Sequence, residues 1–343
     1  MDIDDTRHKV DGKAPLPLVR LQLALPFIHE LDRLGINADA VLARHVLVRE
    51  SVLDPNLFIP VNIIHRLLED VARTANDPCI GVRVGEQLDF TGWSPLVDAV
   101  AHADTLADFL SRFILAASED ASSAEHILEI RGKSTFFRER RTSEPDITPA
   151  QNDAFTAAYV LSILHRAVGH KWKPKDVLLQ VCNPDVLPAG YQGIRVVGGD
   201  NRGMTIRFPS HWLTYTMNRA GFMQVTPHSI DKNPPPGSFL EALWLTLIPR
   251  LDSNTLTVEH VAQRFGISRQ SLQRRLKASG TSLTEELGKL KKQRAIEDLV
   301  HTDKPVATIG AALGFSNPAS FTRAFRSWTG QSPRDYRNTH EKR

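Results

Sequence analysis

The chain has two cysteines in 343 residues, Cys79 and Cys182, and neither stands in a CxxC or a Cys/His metal spacing. That excludes a disulfide scaffold and a zinc finger, and two isolated thiols fit a reducing compartment. Long apolar runs are missing too. The least polar stretch, residues 154–164, is far shorter than the roughly 20 residues a bilayer span needs. The opening residues Met1, Asp2, Ile3, Asp4 and Asp5 are acidic rather than basic-then-apolar, so no signal peptide is expected. These absences predict a cytoplasmic protein without a membrane partner.

Enzyme signatures are absent as well. There is no GxGxxG, no GxxxxGK[ST] and no GxSxG, and the run Gly92-Trp-Ser-Pro-Leu lacks the second glycine. Thirteen histidines include no HExxH; His165 and His170 straddle a helix end and a turn. Cys79, between Pro78 and Ile80, has no neighbouring base and reads as a structural thiol. The expectation is no enzyme, no cofactor and no metal.

What is present is ordinary globular material, 41% apolar and 24% charged, with a mean hydropathy of −0.24. Wholesale disorder, collagen and coiled coil are excluded, and the length suggests about two domains. The net charge of +3 conceals a division. Residues 250–343 carry 17 Lys+Arg against 9 Asp+Glu, a balance of +8, which leaves −5 for the rest. A basic C-terminal part invites a polyanion.

Periodicity places helices in residues 16–65, 61–75, 105–115 and 153–168, with Asn76, Asp77 and Pro78 ending the second. Residues 127–141 read as a hairpin turning at Arg131, Gly132 and Lys133, and 177–181, 194–197 and 204–208 as short strands. The front is therefore mixed α/β. Phe90, Trp93, Phe109, Phe113, Phe136 and Phe137 are expected mainly in its core, with an effector pocket as the competing use. Pro234, Pro235 and Pro236 cannot enter a helix interior, so 231–238 is a stiff connector. The predicted layout is a loose segment 1–15, a sensing and dimerising domain 16–230, the linker 231–238 and an all-α domain 239–338 with Phe239 in its first helix and four or five more after it.

Inside that last domain a pattern recurs. Val258, Val261, Phe265, Gly266, Ile267 and Ser268 return 48 positions later as Val306, Ile309, Leu313, Gly314, Phe315 and Ser316. Each reads as a helix ended by glycine, an apolar turn residue and a serine able to cap a second helix. That is a helix-turn-helix written twice. In the first copy Leu272 and Leu276 face inward, leaving Arg269, Gln270, Gln273, Arg274 and Lys277 outside beyond Ser268. In the second, Ser316 or Asn317 caps, Pro318 suits the first turn, and Phe321, Phe325 and Trp328 face inward. Ala319, Ser320, Thr322 and Arg323 are then outside, with Arg326 further along. Between the copies Ser282 and Glu285 form a capping box that opens a connector helix to about residue 300. Lys289, Lys291, Lys292 and Arg294 cluster on it, and no acidic residue interrupts 263–284. Such cations meet phosphates, while Gln and Arg read base edges.

At these residues the chain resembles the AraC/XylS family of bacterial transcription factors. The match runs over about 239–337 and is densest from Ile309 through Gly314, Phe315, Ser316, Pro318, Phe321, Phe325, Trp328, Gly330 and Pro333 to Arg337. The resemblance implies a seven-helix DNA-binding domain. It also implies base contacts from Gln270, Gln273, Arg274, Ala319, Ser320 and Arg323. Gly310 departs from the family's alanine; glycine costs roughly 1 kcal/mol there, which implies a looser second copy. More weakly, residues 34–42, 77–85, 105–110 and 207–213 resemble the arabinose-binding-like sensor domain of one branch.

The expected function is a sequence-specific DNA-binding transcriptional regulator, an activator, answering a small-molecule effector of unknown identity and site. Double-stranded DNA, that effector and a second copy of the chain are the expected partners, with RNA polymerase a further candidate. The alternatives are a DNA-tethered enzyme and a constitutive DNA-binding protein whose front only dimerises.

Overall fold

A computed structural model describes residues 17–88, 99, 102–217, 239–247, 251, 256–265 and 268–340. The expected loose segment 1–15 and linker 231–238, with Phe90, Trp93, Gly266 and Ile267, lie outside the described residues. The chain forms two compact units, one containing residues 17–217 and the other 239–340.

The N-terminal unit opens with β1 (Leu18–Arg20), which pairs antiparallel with β2 (Phe58–Pro60). The sequence predicts only helix through this region. Two strands of three residues are too short to show alternation, and Arg20 is fully buried against Asp120 at 2.6 Å, a partner 100 residues away. Between the strands lie α1 (Leu25–Arg33), α2 (Ala38–Arg44), capped by Asn37, and α3 (Arg49–Leu53). Helix α4 (Val61–Thr74) buries Ile64, Leu67, Leu68 and Val71 on one face, and Asn76 at φ +50° ends the chain's helical run as expected.

Next comes α5 (Ile80–Glu86), which periodicity missed. It lies unusually close to α7 (Ala150–Val168) because Gly81 and Gly85 share the contact face. A Cβ at Gly85 would stand 2.5 Å from the Phe155 carbonyl oxygen, and one at Gly81 2.6 Å from that of Gln151. Helix α6 (Leu106–Ser118) starts at Thr105, whose hydroxyl accepts the Asp108 N–H at 3.2 Å. The hairpin of β3 (Ala124–Arg131) and β4 (Ser134–Arg141) turns at Gly132, φ +58°, as its sequence predicts. With β5 (Leu178–Val181), β6 (Arg195–Gly198) and β7 (Thr205–Pro209) it forms a sheet ordered β3-β4-β7-β5-β6. All its pairings are antiparallel except β5 with β6. Phe109, Phe113 and Phe137 join the core, whereas Phe136 turns outward beneath Arg138 and Arg131.

The C-terminal unit contains seven helices among the described residues and no strand: α8 (Phe239–Leu247), α9 (Val258–Arg264), α10 (Arg269–Ala278), α11 (Leu283–His301), α12 (Val306–Ala312), α13 (Pro318–Thr329) and α14 (Pro333–His340). Six follow the first, one more than the sequence count of four or five. Helix α11 opens on the expected capping box: the Glu285 N–H donates to Ser282 Oγ at 3.3 Å and the Ser282 N–H to Glu285 Oε2 at 2.9 Å. Glu286 then ties α11 to α8. Its fully buried carboxylate accepts from Trp244 Nε1 at 2.6 Å and Thr281 Oγ1 at 2.5 Å, and pairs with Lys289 at 2.6 Å. Gly310 brings the α12 backbone onto Phe321, where a Cβ would meet three ring-side atoms at 3.0 Å. The departure from alanine thus accompanies close packing rather than a gap.

Candidate nucleic-acid interface

Helix α10 starts where Ser268 Oγ accepts the Ser271 N–H at 3.1 Å, and it stops at Gly280, φ +70°. Leu272 and Leu276 are buried, which turns positions 270, 273, 274 and 277 outward along one face. Gln270, Gln273, Arg274 and Lys277 are exposed, and their side chains make no hydrogen bond or ion pair among the described residues. Arg269 is exposed too, but it is held by Glu259 of α9 at 2.7 Å. Arg275 lies across the Phe239 ring, 6.0 Å from its centroid, and packs rather than projects.

The second copy is built on the same plan with one difference. Asn317, not Ser316, caps α13: its Oδ1 accepts the Ser320 N–H at 2.8 Å. The turn is one residue longer, so α13 aligns with α10 at 49 positions, not 48. Leu272 and Leu276 then correspond to the buried Phe321 and Phe325. Gln270, Gln273, Arg274 and Lys277 correspond to Ala319, Thr322, Arg323 and Arg326. Ala319, Arg323 and Arg326 are exposed, with the two guanidinium groups unengaged among the described residues. Arg326, left at the margin by the 48-residue repeat, completes the face. The signal was in the sequence, in the spacing of the aromatic pair.

Ser320 and Thr322 are half-buried and already donate their protons within α13, to the carbonyls of Asn317 at 2.7 Å and Pro318 at 2.9 Å. They keep lone pairs outward, which suits a donor on a base edge better than a phosphate. On α11, Lys291 and Lys292 are both half-buried; Lys292 makes no hydrogen bond or ion pair among the described residues, whereas the Lys291 ammonium lies 5.1 Å from the centre of the Phe315 ring. Burial pushes the Lys291 ammonium below its ordinary pKa. Lys289 is paired with Glu286, and Arg294 with Glu297 and Asp298. The basic cluster of the connector is thus largely engaged in holding the helices.

Among the described residues no group of three or more His, Cys, Asp or Glu is placed to hold a metal, and no helix is long and apolar enough to cross a membrane. Both cysteines are half-buried free thiols, and burial raises the pKa of each.

Residues 35–196 match the family described as the arabinose-binding N-terminal domain of AraC transcription regulators, and residues 261–339 match a helix-turn-helix domain. The two together take in more than two thirds of the sequence. The chain thus carries the N-terminal domain of AraC transcription regulators and a helix-turn-helix domain. Both matched domains are those of transcriptional regulators rather than enzymes. The chain is 39% identical over 80 residues to the ornithine utilization regulator of Pseudomonas aeruginosa, covering 23% of this chain and 24% of that protein. It is 36% identical over 97 residues to the HTH-type transcriptional regulator VqsM of the same organism, covering 28% and 29%. The chain thus spans about a quarter of the length of these curated relatives. The crystal structure of the transcriptional regulator CdpR from Pseudomonas aeruginosa aligns over 92% of this chain and 98% of its own, with a TM-score of 0.41 and 16% identity.

Proposed function

We propose that this chain is a sequence-specific, DNA-binding transcriptional regulator in which α9–α10 and α12–α13 act as two helix-turn-helix units. The observation that carries the reading is the shared outer face of α10 and α13, with Arg274, Lys277, Arg323 and Arg326 exposed and unengaged among the described residues. Helix α11, 19 residues long, spans roughly 28 Å. Successive major-groove faces lie about 34 Å apart, so one such connector suits two adjacent grooves. Arg274 and Arg323 read guanine, Gln270 and Gln273 read adenine, and Ala319 meets a thymine methyl. Lys277, Lys292 and Arg326 neutralise phosphates. Ser268, Arg269 and Lys291 contribute chiefly by shaping the helix pair, and Ser320 and Thr322 through their lone pairs.

The N-terminal unit supplies the response. A small molecule that binds one arrangement of the dimer better than another shifts the population that engages DNA, and activation is the outcome we assign. The test is selection of sequences from a random library by the full chain, followed by two variants. Arg274→Ala costs about 1–3 kcal/mol on the selected site and relaxes one base preference. Lys292→Ala weakens selected and random DNA alike and lowers the salt slope by about one. Equal effects of both variants on both DNAs would refute these roles.

A further inference from the structure

The N-terminal unit encloses a cavity of about 80 Å³ between α4, α6, α7 and the β3–β4 hairpin. One end is apolar, with Ile64, Leu68, Phe113 and Phe155; the other holds His65, His126 and Glu139. Glu139 is 7% exposed. It accepts the Asn152 amide at 3.2 Å, a bond from Thr156, and has His126 Nε2 at 3.6 Å, beyond hydrogen-bond length. A carboxylate offers about four acceptor positions, so Glu139 has capacity to spare.

The Arg141 guanidinium, which also lines the cavity and has its Nε without a hydrogen-bond partner, acts on the Glu139 charge. Asp120, also on the wall, is paired with Arg20 at 2.6 Å, and Arg141 is paired with Asp153. Glu139 forms no ion pair with an Arg or Lys among the described residues. Burial alone would raise the Glu139 pKa, but His126 beside it, the charge of Arg141 and the Thr156 hydroxyl hold it at about 2. The carboxylate is therefore ionised throughout the physiological range.

A second observation comes from α4. His65 is 2% exposed, lies on the cavity wall, and its Nδ1 has no hydrogen-bond partner. Burial, assisted by the charge of Arg141, pushes its pKa down to about 4, so the ring is neutral at pH 7. In the tautomer protonated on Nε2, Nδ1 is a bare acceptor. A buried polar atom left unpaired costs about 1–3 kcal/mol, and the ring that carries this one lines the cavity.

We propose that this cavity binds a small primary ammonium ion, held by the Glu139 carboxylate and the His65 Nδ1 with its carbon chain toward Phe113 and Phe155. An ammonium brings three donors and no acceptor, which is what two acceptors require. Aromatic faces add attraction for a cation. A carboxylate ligand would meet Glu139 as a like charge. A cavity of 150 Å³ takes benzene, so this one takes about three to five heavy atoms, and a pentose is roughly twice too large. That the ammonium ion is the effector rests on the regulator reading; that it binds does not.

The experiment uses the full chain with n-propylammonium, n-propanol and propionate at constant ionic strength, followed by thermal unfolding and calorimetric titration. The ammonium ion is expected to raise the unfolding temperature by a few degrees near saturation and to titrate at one site per chain. Glu139→Gln, which keeps shape and loses charge, should weaken it at least tenfold. Ala117→Leu fills the cavity without touching either acceptor and should abolish binding, which keeps the test decisive if the Gln variant does not fold. Equal stabilisation by propanol or propionate, no binding of the ammonium ion, or unchanged binding in either folded variant overturns the proposal. Binding that leaves DNA affinity unchanged sustains the site and removes its role as effector site. A DNA response to some other metabolite with no ammonium binding removes the ligand class and leaves the regulator reading intact.

Discussion

The N-terminal unit draws charge inside, and the C-terminal unit sets most of it outside. Glu139, Arg141 and Asp153 meet near the centre of the first, on the inner sides of a hairpin and a helix. In the second, the inner positions of α10 and α13 are Leu272, Leu276, Phe321 and Phe325, and the cations stand on the opposite face. Its buried carboxylates, Glu286 and Asp298, sit at joints between helices and are ion-paired. An inward charge must be answered by another group, so it creates a place for something to bind. An outward charge is free to meet a polyanion. The contrast predicts that one unit's stability titrates near neutral pH and the other's depends on apolar packing.

The largest effect should come from the packing side. Phe325 is fully buried, with Phe321, Trp328 and Tyr336 rings at 5.8, 6.5 and 5.4 Å. Phe325→Ala is expected to cost about 3–5 kcal/mol. Hydrogen exchange on the full chain should show the loss across residues 256–340 with protection in 17–217 retained. An equal loss in both units would erase the distinction between them.

Acid should act the other way round. The folded pKa of His65 lies at about 4, below its unfolded value of 6.5, because burial disfavours the charged ring. The unfolded chain therefore binds the extra proton first. This contribution is complete above pH 6.5 and is lost as pH falls toward 4, about 3 kcal/mol in all. His45, lowered mainly by burial, acts in the same sense. Glu69, raised by burial, opposes it; the decisive quantity is thus the difference between the wild type and His65→Asn. In the C-terminal unit the described histidines are exposed. Glu286, held below its ordinary pKa by Lys289, Thr281 and Trp244 against the effect of burial, adds a loss only below about pH 4.5. Exchange protection between pH 7 and 5, corrected for intrinsic rates, should fall in residues 17–217 and hold in 256–340. The same fall in His65→Asn would contradict the assignment.

The same contrast explains what sequence reading reaches. The face of α10 was legible whole, because buried leucines four apart fix which residues point out. On α13 the inner aromatics were equally clear, yet the sequence left the cap open between Ser316 and Asn317 and placed Arg326 only further along the helix. The hairpin was legible from its turn and its strand residues. Its inner face was not, because Thr135, Glu139 and Arg141, on the same side as Phe137, break the apolar alternation that marks a buried side. Their partners, His126, Asn152 and Asp153, come from another strand and a helix. Helix α5 was hidden for a related reason: Gly81 and Gly85 weaken its helical signal locally, and their value appears only against α7.

The smallest predicted effect separates two roles for one residue. Ser268 stands at the entry to α10, where a hydroxyl can contact a phosphate, but its oxygen already accepts the Ser271 N–H at 3.1 Å. If capping dominates, Ser268→Ala costs about 1 kcal/mol of stability and lowers affinity for all DNA only in step with that loss. Ser268→Asp keeps the acceptor, and a negative charge at a helix N-terminus favours the fold. It should therefore retain stability while weakening selected and random DNA alike through phosphate repulsion. Asn317→Ala, at the corresponding cap of α13, should reproduce the stability loss. If Ser268→Ala leaves stability unchanged and weakens DNA binding, Ser268 is a phosphate contact, and the cap at α10 is dispensable where that at α13 is not.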